Sequence, residues 1–123
     1  MDAEIVHPVI LVRINQLYDP SMDGRELYDH VRGVWVVGER RNAAEFALGV
    51  YRGEILEAYS IDDWHPAGTT EYASRIIDRN KYANRWEFTG KIAPEEIRER
   101  YVGKSAAHCF VQGEANPVKY INC

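Results

Sequence analysis

Short hydrophobic runs, separated by glycine, proline and charged residues, are the main pattern along this chain. The run Val9–Ile14 (VILVRI) is rich in β-branched residues, which is typical of a buried strand. Val34–Val37 (VWVV) is a second run of this kind, bounded by glycines. Ala47–Tyr51 and Glu54–Ile61 alternate well enough to be strands, and the Arg52-Gly53 pair between them predicts a two-residue hairpin turn.

Three segments carry the signals of short helices. Asp23 has an acidic residue three positions later, which is the capping-box arrangement and predicts a helix from Gly24 to Arg32. Arg40–Phe46 is predicted as a second short helix, with alanine and phenylalanine as its apolar members. A third helix is expected after Pro94, a residue suited to a first helical turn, and should end at Gly103.

The segment Asp62–Asn84 is the least regular part of the pattern. It carries Trp64, Pro66 and Gly68, and continues as a polar stretch in which Thr70–Arg79 is compatible with one or two helical turns. A connection of this length inside a compact domain is usually functional or mobile. Strands are predicted on its far side, over Arg85–Lys91 and Val118–Ile121.

Together these elements predict an α+β fold with a small mixed, mostly antiparallel sheet and short flanking helices. Helices interrupt mostly short strands, which favours a sheet curled into a barrel over a doubly wound sheet. The 123 residues fit one domain, residues 1–123. Hydrophobic residues make up 46% and charged residues 28% of the chain, values that argue against disorder.

Several features of the sequence concern its location in the cell. No apolar run approaches the roughly 20 residues that cross a bilayer, and the start Met-Asp-Ala-Glu lacks the pattern of a signal peptide. Cys109 and Cys123 are too few for a disulfide scaffold, so free thiols in a reducing compartment are expected. The prediction is a cytoplasmic chain, or a domain of a larger intracellular protein, without membrane contact.

The charge pattern limits how this chain could bind nucleic acid. A formal net charge of −4 counts against gripping it by bulk electrostatics. The basic residues are concentrated in residues 32–53 and 72–91, and eleven of the fifteen are arginine. Because the guanidinium fork suits phosphates and base edges, a local basic face on an acidic domain remains an open expectation.

Metal and catalytic chemistry find little support in the sequence. The four histidines are scattered, and the adjacent pair His108-Cys109 suits a single metal badly. Neither cysteine has a partner that the sequence places beside it for nucleophilic work. We therefore predict no catalytic residue, no metal and no cofactor.

Aromatic residues beside arginine and asparagine are the main candidate chemistry. Aromatic faces next to forked or amide donors are what holds an unstacked base. Trp35 precedes an Arg-Arg-Asn run, and Trp64 is expected on a loop at the rim of the sheet, where an aromatic has less structural reason to exist. The alternative interpretation is that the tryptophans are structural core residues. The predicted ligand-binding residues are Trp35, Trp64, Arg40, Arg41, Asn42, Arg13 and Asn15.

A family resemblance accompanies these residues. The stretch Val34–Ile61, and most closely its part Ala47–Ile61, resembles the central unit of PUA-like domains, a group that includes the EVE, YTH and ASCH families. The Arg85-Trp86-x-Phe88 pattern and the ending Asn116–Asn122 also resemble an uncharacterised bacterial domain that occurs alone or beside GIY-YIG-type nuclease modules. The resemblance covers nearly the whole chain and implies a small PUA-like β-barrel.

Three classes of function follow. The first is a non-enzymatic module that recognises DNA or RNA, with a flipped or modified base as its ligand. The second is a protein-interaction domain, or an accessory domain of a nuclease or defence system, with the acidic N-terminal segment as its contact face. The third and least favoured is an ASCH-like nucleoside hydrolase acting through Asp62, Asp63 or Glu87. Recognition requires that the tryptophans and the arginine run converge on one open cavity, whereas a closed core favours the accessory role.

Overall fold

A computed structural model describes residues 1–123 and contains six strands and two α-helices. Two short 3₁₀ turns, Glu39–Ala43 and Ala107–Cys109, lie between them. The elements in chain order are β1 (Val9–Arg13), α1 (Gly24–Val31), β2 (Gly33–Trp35), β3 (Phe46–Tyr51), β4 (Glu54–Pro66), β5 (Trp86–Ile92), α2 (Glu95–Tyr101) and β6 (Val118–Ile121). None of the helices has the length and apolar character that crossing a bilayer demands.

The six strands form one curled sheet, a half-barrel in the order β2-β5-β4-β3-β1-β6. The pair β1–β3 is parallel and every other pair is antiparallel. β2 and β6 are the two edges and do not pair with each other. The predicted α+β class and the mixed, mostly antiparallel curled sheet are therefore confirmed.

Hydrophobic side chains fill both faces of this sheet. Strand β1 shows why, because its residues alternate between two core clusters. Val9 and Leu11 belong to a cluster that includes Ile97 of α2. Ile10 and Val12 belong to a second cluster, which includes Val31 of α1. Residues Val9–Val12 are thus all apolar because both faces of β1 are covered.

The local signals in the sequence predicted the hairpin and the first helix correctly. Arg52 and Gly53 have φ values of 49° and 84°, the positive values that a tight hairpin turn needs between β3 and β4. The Asp23 carboxylate caps α1 by accepting a hydrogen bond from the Glu26 amide at 2.9 Å. Gly49 of β3 permits close packing of α1, since a Cβ there would lie 2.7 Å from a methyl group of Val31.

Two predictions about the middle of the chain are wrong. The predicted helix Arg40–Phe46 is a single 3₁₀ turn, Glu39–Ala43, after which Phe46 begins β3. The expected loop Asp62–Asn84 begins too early, because β4 runs on to Pro66. Residues 67–85, here called the cover segment, contain turns and bends but neither helix nor strand, so the compatible helical turns do not form.

A buried ion pair holds the first part of the cover segment. Arg32 follows α1 and Glu87 lies in β5, and their side chains are 2% and 0% exposed with a nitrogen–oxygen distance of 3.9 Å. Glu87 accepts hydrogen bonds from the amides of Gly68 at 2.7 Å and Thr70 at 2.9 Å, from the Thr70 hydroxyl, and from the Tyr72 hydroxyl at 2.9 Å. One carboxylate therefore gathers three residues of a segment that has no regular structure of its own.

Arg32 binds the same segment from the other side. Its guanidinium donates to the Phe88 carbonyl at 2.9 Å, to the Glu71 carbonyl at 3.0 Å and to the Thr70 hydroxyl. It also lies 4.0 Å from the centre of the Tyr72 ring. Because both charged groups form hydrogen bonds inside the protein, these bonds offset the desolvation cost of burying the pair.

Replacing Glu87 should destabilise the fold strongly. Glu87→Gln leaves Arg32 without a counter-ion. It also replaces one carboxylate oxygen, an acceptor, by an NH₂ group that faces other donors. We therefore expect the free energy of unfolding to fall by about 3 kcal/mol in urea denaturation. The matched control is Glu57→Gln, because Glu57 pairs with the partly exposed Arg98 at 2.7 Å. That variant should lose less than about 1 kcal/mol. Equal losses of unfolding free energy in the two variants would show that the buried pair stabilises the fold no more than the exposed pair does.

The same carboxylate should make stability depend on acidity. Burial raises the pKa of Glu87, but the hydrogen bonds from Thr70, Gly68 and Tyr72 outweigh it, so the pKa lies below its usual value. The stabilisation is then fully present above the unfolded-chain pKa of about 4.3 and is lost as the pH falls through the native value. Urea midpoints of wild type and Glu87→Gln should therefore converge in acid. A constant gap down to the acid transition would refute this linkage.

Candidate functional site

Trp35, Arg13 and Asn15 come together at one end of the sheet. Arg13 ends β1, Asn15 follows it, and Trp35 ends β2, yet all three line one open cleft of about 410 Å³. We call it the Trp35 cleft. The other lining residues are Gln16, Leu17, Glu114, Ala115 and Pro117. Three of the seven predicted ligand-binding residues thus share one cavity.

Packing fixes the orientation of the Trp35 ring. The residue is only 7% exposed and belongs to the core cluster on the α1 side of the sheet. Its indole N–H donates to the Val31 carbonyl at 2.8 Å. Trp35 is therefore mainly a core residue, and a small part of its surface faces the cleft.

Polar side chains of the Trp35 cleft are partly occupied by structural contacts. One guanidinium nitrogen of Arg13 donates to the carbonyls of Glu114 and Asn116 at 2.7 and 2.6 Å. The Asn15 side-chain oxygen accepts from the Arg52 amide at 2.7 Å, which leaves its NH₂ group without a partner in the chain. Gln16 is exposed beside them. The cleft thus keeps free amide donors next to an aromatic edge.

A second cleft of about 390 Å³ adjoins the first and contains Arg40. Glu114 lines both, so the two clefts share a wall. Arg40 donates to the Cys123 carbonyl at 3.0 and 2.6 Å and lies 4.7 Å from the centre of the Tyr120 ring. We call this the Arg40 cleft. Its residues come from the chain after β2 and from β6, so it occupies the gap between the two edges of the sheet.

Charges in the Arg40 cleft are balanced in part. Lys119 donates to the Glu114 carboxylate at 3.1 Å. The Val111 amide first, and Lys119 second, lower the pKa of Glu114. No aspartate or glutamate side chain pairs with Arg40 or Arg13, so both guanidinium groups lie in these clefts beside one acidic side chain.

Arg41, Asn42 and Trp64 lie outside both clefts. The Arg41 guanidinium stacks 3.7 Å from the centre of the Trp86 ring and donates to the Gly38 carbonyl. Asn42 is exposed in the 3₁₀ turn. The predicted convergence of both tryptophans with the arginine run on one cavity does not occur.

Trp64 is a strand residue, and its expected position on a rim loop is wrong. It lies in β4 directly opposite Phe88 of β5, with ring centroids 5.4 Å apart. Its indole N–H donates to the Arg41 carbonyl at 3.1 Å. The register of β4 shifts between Ile61 and Asp63, so the alternation that the sequence suggested is interrupted while the pairing continues.

Carboxylates that could act in hydrolysis are not gathered at a cavity. Asp62 and Asp63 are exposed on β4, and Asp63 accepts from the Trp64 amide at 2.8 Å. Glu87 is fully buried under the cover segment. Neither cleft contains any of the three.

One cysteine does have a histidine and a carboxylate nearby. The Cys109 sulfur lies 3.6 Å from Nε2 of His108, whose Nδ1 lies 3.9 Å from Asp2. Burial raises the pKa of the Cys109 thiol, which opposes formation of the nucleophilic thiolate. No group of three or more histidine, cysteine and acidic side chains is placed to hold a metal ion.

Comparison with known proteins finds no matching family, curated protein or solved structure. The interpretation of the two clefts therefore depends on their own residues. Gln16, Lys119 and Glu114 are cleft residues that the sequence analysis missed. No periodicity marks them, because Gln16 reaches its cleft from the turn after β1, Glu114 from the loop before β6, and Lys119 through the pairing of β6 with β1.

Truncating Trp64 should weaken the fold and spare the clefts. We expect Trp64→Ala to lower the free energy of unfolding by about 2 kcal/mol, less than for a fully buried tryptophan, through lost contact with Phe88. Trp64→Phe keeps an aromatic ring and should cost about half as much. Thermal melting and urea denaturation measure both variants. An unchanged melting temperature for Trp64→Ala would return this residue to the list of ligand-binding candidates.

Proposed function

We propose that this chain is a non-enzymatic, PUA-like nucleic-acid recognition module that holds an unstacked base in the Trp35 cleft. The observation that carries the proposal is the meeting of Trp35, Arg13 and Asn15 in one open cleft. They come from two strands, β1 and β2, that are far apart in the sheet order. A base, plain or modified, is the ligand class that uses an aromatic surface and amide donors at once.

The free donors define how the base would be read. The NH₂ group of Asn15 and the carboxamide of Gln16 face acceptors on the base edge, and the rigid Trp35 edge contacts its ring. Asn and Gln suit this role because each offers a donor and an acceptor in one plane. Base recognition of this kind supplies selectivity, while affinity depends also on phosphate contacts.

Phosphate contacts are assigned to the Arg40 cleft. No aspartate or glutamate side chain pairs with Arg40, and Lys119 shares its charge with Glu114. The shared wall at Glu114 puts these cations one cleft away from the base. Two contacts give a weak salt dependence, with a slope of about −1.4 for single strands, which suits an acidic domain.

Protein interaction through the open edges of the sheet is the second candidate function. Val36 and Val37 follow β2, and their main-chain groups make no hydrogen bonds within the chain. Val36 is also 66% exposed. An extended segment of a nuclease or another protein could pair there as an added strand.

Oligonucleotide binding by two cleft variants tests the leading proposal. Asn15→Asp keeps the oxygen that accepts from Arg52 but removes the free NH₂ group and adds a negative charge, so affinity should fall roughly tenfold. Arg40→Gln should weaken binding less and reduce the magnitude of the salt slope by about 0.7. Fluorescence anisotropy with single-stranded DNA and RNA, with and without a modified base, measures both effects.

The control is Asn80→Asp, the same exchange at an exposed residue of the cover segment that lines neither cleft. It should bind as wild type does. Absence of saturable binding to every oligonucleotide would overturn base recognition. Binding that survives Asn15→Asp unchanged would move the contact surface elsewhere.

A further inference from the structure

A separate pocket of about 500 Å³ lies between the start of α1 and the neighbouring strands β4 and β5. It shares no lining residue with the Trp35 cleft or the Arg40 cleft. Its wall includes Tyr28 of α1, Tyr59 of β4 and Ile92 of β5. The volume falls within the range of about 300–1,000 Å³ that is usual for small-molecule sites. We call it the Tyr59 pocket.

Tyr59 brings an unpaired hydroxyl to this pocket. The residue is 2% exposed, and its ring packs against the rings of Tyr28 and Phe88 at 5.3 and 6.5 Å. No group in the chain donates to its hydroxyl or accepts from it, whereas the Tyr28 hydroxyl accepts from the Gly90 amide at 2.9 Å. This hydroxyl is not among the fully buried atoms that lack a partner, so water in the pocket, or a ligand that displaces it, is its available partner.

Both phenols of this pocket therefore have donor capacity to spare. Burial, with the charge of Glu57 next, raises the pKa of Tyr59 far above its usual value, so its hydroxyl keeps its proton. The Tyr28 hydroxyl uses one lone pair on Gly90 and has no acceptor for its own proton. A ligand that offers acceptor atoms would satisfy both groups.

Charge at the rim favours an anion. Arg25 and Lys91 are exposed there, and Asp23 is the one acid among the lining residues. One oxygen of Asp23 already accepts from the Glu26 amide, and its other oxygen lies 3.7 Å from Arg25. The rim thus carries one net positive charge above an aromatic floor.

Close strand pairing beside Gly90 helps to keep this pocket in shape. A Cβ on Gly90 would collide with the Ser60 carbonyl, so only glycine fits where β4 and β5 meet at the register shift. This position presents the Gly90 amide to Tyr28 and fixes the ring. The side of the pocket at Gly90 and Tyr28 is therefore held by strand pairing.

We propose that the Tyr59 pocket binds a small planar aromatic ligand that carries an anionic group. The ring lies against Tyr28, Tyr59 and Ile92, and its acceptor atoms meet the free phenol donors. The anionic group lies at the rim, near Arg25 and Lys91. This site is independent of nucleic-acid recognition in the Trp35 cleft.

The test is an NMR titration of the ¹⁵N-labelled protein with three probes: quinoline-3-carboxylate, whose ring nitrogen is an acceptor, quinoline and acetate. Quinoline-3-carboxylate should shift the amides of Gly24, Gly90 and Ile92 saturably at millimolar concentration. Quinoline should bind roughly two to five times more weakly, since an exposed ion pair contributes that much, and acetate alone should not saturate. The double variant Arg25→Ala/Lys91→Ala should remove the difference between quinoline-3-carboxylate and quinoline.

Tyr59→Phe is the decisive variant, because the lost hydroxyl has no partner in the chain. It should weaken quinoline-3-carboxylate binding roughly threefold to tenfold and leave the melting temperature nearly unchanged. Tyr82→Phe, in the cover segment and away from this pocket, is the matched control and should bind as wild type does. Shifts that centre on Asn15 and Trp35, no saturable shift, or full affinity in Tyr59→Phe would each overturn the proposal.

Discussion

The buried pair Arg32–Glu87 is the contact on which the middle of the molecule depends. Residues 67–85 form neither helix nor strand, so their backbone groups need partners that the sheet does not supply. Glu87 and Arg32 provide those partners from β5 and from the end of α1. The same contact joins the short edge strand β2 to the rest of the sheet, since the Arg32 carbonyl accepts from the Phe88 amide beside it.

Elements governed by neighbouring residues could be predicted from the sequence. The hairpin at Arg52-Gly53 and the capped start of α1 follow from turn and cap rules that act within four residues. Trp64 could not be placed, because β4 continues past a register shift only through its pairing with Phe88. Burial of Glu87 gives no sequence signal either, since an isolated glutamate in a strand normally faces water.

The candidate site divides in the same way. Trp35, Arg13 and Asn15 were recognisable by residue type, and curling of the sheet brings them together. Gln16 and Lys119 were not recognisable, because they matter only through the geometry of the edge gap. The Tyr59 pocket lies elsewhere, between the start of α1 and strands β4 and β5, and shares no residue with the Trp35 cleft or the Arg40 cleft.

Strand β1 also sets the order in which this chain can fold. It pairs with β3 about forty residues later and with β6 more than a hundred residues later, at Val9 opposite Ile121. During synthesis the apolar run VILVRI has one edge unpaired until residue 121 has left the ribosome. Contacts so distant in sequence slow folding and expose a strand edge to other chains in the meantime. Arg13 places a charge at the last residue of β1, which discourages such pairing before β6 arrives.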